Sequence, residues 1–316
     1  MTSPSATMET VLARLAIEDA GLADPTTLAP QHGRALAELV NMRWNADLPE
    51  VRETRTVMHA GMPGRWIVPE TDTGTHAILH VHGGGWAFCS VATHEAASRR
   101  LANACCCPVL TVDYRLAPEH PYPAGLDDLL RAWRARDPVR RWSLAGDSAG
   151  ANLALSLALR LVASGEMRPT ALMLFYGVYG ADFETESYRE RENGPGLTRA
   201  KMMRYWDWYA PIAARDDPCV APLAATDTAL EALPPLYFNA AGLDPLLSDT
   251  EQLVARLHRL GRDDRFDRIE GVVHGFMQMG AVLPEARDAF DRAGAAFRDF
   301  TSTAARGGVA QQGGRP

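Results

Sequence analysis

Ser148 stands between two glycines in Gly146-Asp147-Ser148-Ala149-Gly150. Only small residues fit two positions either side of a serine on so sharp a turn. The strain of such a turn holds the hydroxyl clear of the sheet, and the following helix aims its N-terminal dipole at it. The chemistry that suits this arrangement is attack on a carbonyl carbon. Because G-x-S-x-G also occurs by chance, the flanks must carry the assignment. Trp142-Ser143-Leu144-Ala145 before it reads as a strand, and Asn152 to Leu159 after it reads as a helix.

A second motif adds an electrophilic partner. His82-Gly83-Gly84-Gly85-Trp86 follows the apolar run Ala77 to Val81. A glycine-rich loop after a strand can direct backbone N–H groups at an oxyanion, because no side chain blocks the substrate. A phosphate-binding loop is the competing reading. It fails because no Gly-Lys-Ser/Thr follows, and Phe88 stands where a G-x-G-x-x-G pattern needs its last glycine. His80 and His82 lack a further ligand at metal-binding spacing, so no metal is expected.

A general base and an orienting acid should come later in the chain, acid before histidine. Leu236 to Ala241 reads as a strand that runs into Gly242-Leu243-Asp244-Pro245-Leu246. Asp244 would then sit at a strand's C-terminal end. Asp249 is the other candidate, but it falls at the start of the helical run Thr250 to Leu260 and reads as a helix N-terminal acid. His274, in Val273-His274-Gly275-Phe276, follows the expected last strand. Beyond Asp244 the other histidine is His258, inside a helical pattern.

With Asp113-Tyr114-Arg115-Leu116-Ala117-Pro118-Glu119-His120-Pro121-Tyr122-Pro123-Ala124 added, these segments resemble the hormone-sensitive-lipase family of α/β-hydrolases, in its bacterial esterase branch. The resemblance implies Ser148 as nucleophile, His274 as base and Asp244 as acid. It implies an oxyanion hole from the N–H groups of Gly83, Gly84 and Ala149, and no cofactor. It implies a serine carboxylesterase acting on short-chain acyl esters through an acyl-enzyme. A lactone or aryl-formamide hydrolase would use the same triad, an acyltransferase would need a site that excludes water, and a non-catalytic receptor on this fold would tend to lose the histidine. Cys89 and Ala151 depart from the family's glycines. Cys89 is expected to narrow the pocket, with Trp86, Trp206 and Trp208 also lining it.

Those residues need a frame to hold them. Strands are expected at Arg55–Ala60, Arg65–Val68, Ala77–Val81, Val109–Tyr114, Trp142–Ala145, Ala171–Tyr176, Leu236–Ala241 and Arg265–Glu270. The first two form an antiparallel start, and helical stretches separate the later ones. The fold class is α/β: a single α/β-hydrolase domain over 1–316, with a mostly parallel eight-stranded sheet flanked by helices. Two regions break the rhythm, about 1–49 and 180–234, and they are expected to form a helical cap. The second holds the cluster Met202 to Tyr209. The glycine-rich tail, 305–316, is expected to be disordered.

Composition agrees. A 47% hydrophobic share supports a large core, and a net charge of −7 without a basic stripe argues against nucleic acid as a partner. The partner expected is a small-molecule ester. No segment reads as a membrane span or signal peptide. The 5 cysteines, an odd number with three in a row at Cys105 to Cys107, suit a reducing cytoplasm. Dimers are frequent among similar enzymes, and a homodimer is compatible with this chain.

Overall fold

The computed structural model describes residues 3–309. Strands buried on both faces need nearly continuous apolar sequence, and the central strands have it. Eight strands form one sheet: β1 Glu53–His59, β2 Met62–Val68, β3 His76–Val81, β4 Val109–Val112, β5 Arg141–Asp147, β6 Leu172–Phe175, β7 Leu236–Leu243 and β8 Arg265–Val273. Their order is β1-β2-β4-β3-β5-β6-β7-β8. The β1–β2 and β2–β4 pairings are antiparallel, and β4 through β8 run parallel. All eight expected strands are present, with ends moved by a few residues.

The helices are α1 Ala6–Glu18, α2 Pro30–Asn41, α3 Glu95–Cys105, α4 Ala124–Arg134, α5 Ala149–Ser164, α6 Glu186–Glu190, α7 Arg199–Tyr209, α8 Asp227–Glu231, α9 Leu247–Arg259 and α10 Pro284–Val309. The alternation of a strand divides the core in two. Ala77, Leu79 and Val81 of β3 face the side covered by α4, α5 and α9. Ile78 faces the side covered by α3 and α10, joined by Met8 and Val11 of α1. Helix α10 runs to Val309, inside the segment expected to be disordered. The rest of that tail, 310–316, lies outside the described residues.

Four strand ends matter most for the site. β3 leads into His82, β5 into Ser148, β7 into Asp244 and β8 into His274. Because these strands are parallel, their C-terminal ends share one edge of the sheet, where crevices between loops form. No helix among the described residues is long and apolar enough to cross a membrane.

Candidate active site

The turn at Ser148 is as tight as its glycines suggest. Ser148 adopts φ 56° and ψ −123°, in the positive-φ region that a side chain rarely occupies. A Cβ at Gly146 would lie 2.4 Å from the Gly150 carbonyl oxygen, and one at Gly150 would lie 2.0 Å from that of Val81. Neither position can carry a side chain. The Ser148 N–H donates to the Phe175 carbonyl at 2.9 Å, which ties the strained residue to β6.

His274 meets the serine from the end of β8. Its Nε2 lies 2.9 Å from Ser148 Oγ, and its Nδ1 lies 2.7 Å from Asp244 Oδ2. A carboxylate can only accept, so Nδ1 carries the proton and Nε2 is left to accept from the serine hydroxyl. Asp244 is fixed in turn, because its Oδ1 accepts the Leu246 N–H at 2.9 Å. The Tyr176 ring stands edge-on to the imidazole at 5.1 Å and limits its rotation. The structure therefore brings Ser148, His274 and Asp244 into one hydrogen-bonded chain. Such a chain can draw the hydroxyl proton onto an imidazole.

Asp249 is the helix N-terminal acid expected, and it also bonds beyond its own helix. It lies inside the first turn of α9 and is 1% exposed. Its Oδ2 accepts the Tyr179 and Gly180 N–H groups, at 2.8 Å and 2.9 Å, where the chain leaves β6. Burial, aided by the nearby acids Asp244 and Asp182, pushes its carboxyl up to about 7 against the opposing pull of those two hydrogen bonds. The folded state thus holds a proton that an unfolded aspartic acid releases near pH 4. Its contribution to stability is full below that pH and is lost as pH rises to about 7. Asp249→Asn keeps an oxygen for both N–H groups and removes the titration. Its melting temperature should gain on the parent's from pH 4 to 7 and level off above. A difference independent of pH would show that Asp249 is ionised throughout.

The oxyanion hole needs one correction. The Gly83 N–H, expected to face the substrate, donates to Asp147 Oδ1 at 3.1 Å. The N–H groups of Gly84 and Ala149 make no hydrogen bond among the described residues, and both residues border the cavity over Ser148. Ala149 opens α5, where an N–H without an intrahelical partner adds the helix dipole. Asp147 also lies 3.3 Å from His94 Nε2. Burial works against its charge, yet His94, His80 and His82 outweigh that and hold its carboxyl at about 2. Burial pushes His80 down to about 3 and His82 to about 4, so both are neutral at pH 7. At that pH the N–H donors of Gly83 and His94 stabilise the carboxylate. Asp147 thus ties the serine turn to the glycine loop.

A cavity of about 310 Å³ opens above Ser148. Gly84, Gly85, Cys89 and Tyr176 form part of its wall. Ala37, Val40 and Trp44 reach it from the N-terminal segment, and Leu197, Met202 and Tyr205 from the segment around α7. Cys89 thus borders the cavity, as expected, but Trp86, Trp206 and Trp208 do not. Trp86 is buried with its ring stacked on Tyr209 at 4.2 Å. Trp206 packs edge-on against Trp86 at 4.9 Å, and Trp208 packs against Phe88 at 5.8 Å. The helix period is the reason. Met202, Trp206 and Tyr209 share the buried face of α7, while Tyr205 is turned towards the glycine loop, against Gly85.

Sequence reasoning missed Asp147, Asn152 and Tyr176, and it held Tyr205 only as one member of the Met202 to Tyr209 cluster. Asn152 carried a signal, being an amide at the head of an otherwise apolar helical run. The DYRLAPEHPYPA segment turns out to brace the glycine loop. The Tyr114 hydroxyl donates to the His82 carbonyl at 2.9 Å, and the Ala117 N–H to that of Trp86 at 2.9 Å.

Comparison with known proteins points to the same fold. A family model described as alpha/beta hydrolase fold matches residues 78–278. The carboxylesterase NlhH of Mycobacterium tuberculosis is 33% identical over 79% of this chain and 83% of its own length. The ethyl acetate hydrolase of Pseudomonas putida is 32% identical over 66% of this chain and 69% of its own. An ester hydrolase from the metagenome of Lake Arreo, solved with a derivative of bipyridine phosphonate, superposes with a TM-score of 0.86. It is 31% identical, with 93% of this chain and 98% of that one covered. The chain belongs to the α/β-hydrolase fold family, in its hormone-sensitive-lipase branch.

Proposed function

We propose that this protein is a carboxylic ester hydrolase that cleaves small acyl esters through an acyl-serine intermediate. The observation that carries the reading is the chain from Asp244 through His274 to Ser148, ending beside a cavity bordered by N–H groups without partners, among them those of Gly84 and Ala149. His274 takes the proton of Ser148 as Oγ attacks the ester carbonyl. The Gly84 and Ala149 N–H groups receive the charge that develops on the carbonyl oxygen, a contribution of about 3–4 kcal/mol per donor in enzymes where one was removed. The imidazolium, paired with Asp244, then protonates the leaving alcohol. Water then attacks the acyl carbon and gives a proton to His274, and the acid leaves as the Oγ–acyl bond breaks and His274 returns that proton to Ser148. Every charge that appears has a partner already in place, so no metal or organic cofactor is required.

Residues from 1–49 and 180–234 act as the cap, because both contribute walls of the cavity over Ser148. The second segment is not all lid, since α8 packs on α5. A cavity of about 310 Å³ is at the small end for ligand sites. That size favours short acyl chains, and one relative is named for ethyl acetate. Burial pushes the Cys89 thiol up to about 12, so it acts as wall and not as a nucleophile. The free cysteines support a cytoplasmic location.

A panel of acyl esters, lactones and N-formyl aryl amides, run on the parent and on Ser148→Ala, tests this reading. Ester turnover should exceed the other two classes and vanish in the variant. Greater activity on a lactone or formamide would move the substrate class without moving the serine. The cap makes a separate prediction. Tyr205→Ala should shift the optimum on p-nitrophenyl esters, acetyl to dodecanoyl, towards longer chains and keep the activity. A profile that superposes on the parent's would mean that the α7 segment does not limit chain length.

A further inference from the structure

The described interior holds an amide that the mechanism above does not use. Asn152 is on α5, four residues past Ser148, and is 0% exposed. Its Nδ2 donates to the Val178 carbonyl at 3.0 Å and the Val220 carbonyl at 2.9 Å. Val178 lies just before the cap insertion and Val220 lies within it, so the two bonds tie the start of the insertion and a later point of it to α5. Its Oδ1 accepts from the Trp86 Nε1–H at 3.4 Å. Both N–H donors of the amide and one acceptor position of its oxygen are thus directed at other segments.

The Trp86 contact matters because of where Trp86 lies. Gly84, Gly85 and Trp86 have φ of 109°, 60° and 58°, three successive residues in a region that disfavours side chains. Trp86 therefore closes the glycine loop in a conformation that its own backbone resists. Its side chain supplies the restraint, through the bond to Asn152 and the stack on Tyr209 of α7. The direction of the Gly84 N–H depends on that loop conformation.

We propose that Asn152 is a positioning residue that couples the glycine loop and the neck of the cap to the helix carrying Ser148. It touches no substrate. It fixes the oxyanion donors and the cap relative to the serine, so its loss lowers the rate at each serine and does not merely unfold the protein. The proposal rests on Ser148 being the nucleophile.

The test titrates active serines with diethyl p-nitrophenyl phosphate, then measures kcat per titrated serine on p-nitrophenyl acetate. Asn152→Leu, close in size and without the amide, should lower kcat per titrated serine by about a hundredfold, the size of loss a small misplacement causes. KM should change little. Trp86→Phe keeps a ring to stack on Tyr209 and removes only the N–H. It should lower kcat by about three- to tenfold, the worth of one hydrogen bond. The double variant should be no slower than Asn152→Leu, because both changes break the same link. Unchanged kcat per titrated serine in Asn152→Leu, with only yield or melting temperature reduced, would overturn the proposal. Losses that multiply in the double variant would overturn it too. If Asn152→Leu does not fold, Trp86→Phe decides alone, and an unchanged kcat rejects the coupling. A parent that the phosphate does not label at Ser148 would instead reject the nucleophile on which the proposal rests.

Discussion

Ser148→Ala is expected to lower kcat on p-nitrophenyl acetate by about a millionfold, the loss seen when a protease serine nucleophile is removed. The size of the effect follows from the geometry. Without Oγ, the imidazole 2.9 Å away has no hydroxyl to deprotonate, and water must attack directly. Binding need not suffer, because alanine fits the same turn and the cavity walls are untouched. The variant should still bind short esters while turning them over at a rate set by the oxyanion donors alone. The residual rate should be measured on protein free of parent contamination, with KM obtained from inhibition by the bound ester. A loss under a hundredfold would mean that another residue attacks the carbonyl.

Asp244→Asn is expected to lower kcat by about ten thousandfold, the cost in a serine protease of an amide that holds the imidazole in the wrong tautomer. In the folded protein Asp244 Oδ2 lies 2.7 Å from His274 Nδ1, where only an acceptor is useful. An amide NH2 there would donate to Nδ1, move the proton to Nε2 and leave no base facing Ser148. Asp249→Asn should cost less than tenfold, because its carboxylate serves the Tyr179 and Gly180 N–H groups and an amide oxygen serves them as well. The two variants are to be compared as kcat on one ester at pH 8, above the value of about 7 to which burial pushes Asp249. Equal losses, or a larger loss at Asp249, would reassign the acid.

The strands that carry the site are legible in the sequence because a parallel sheet buried on both faces demands apolar runs such as those of β3, β6 and β7. Ser148, Asp244 and His274 are legible for a related reason. Each follows directly on a strand, and chain order separates them from their rivals. What the sequence hides depends on contacts between distant segments. Nothing near Gly83 indicates that Asp147, 64 residues on, takes its N–H. The aromatic run of α7 does not say which side faces the cavity. The helix had to be docked before Tyr205 could be told from Trp206. Asp249 looked like a helix cap because α9 starts there. Its hydrogen-bond partners, Tyr179 and Gly180, come from the segment after β6, about 70 residues earlier in the chain.

The most direct measurement is to trap the acyl-enzyme. Parent protein mixed with excess p-nitrophenyl acetate and quenched in acid within the first turnover should show a burst of p-nitrophenol. Mass spectrometry of its peptides should place one acetyl group on Ser148, and Ser148→Ala should show neither burst nor adduct. An acetyl group found on another residue would contradict the assignment of the nucleophile. So would a burst that persists in Ser148→Ala.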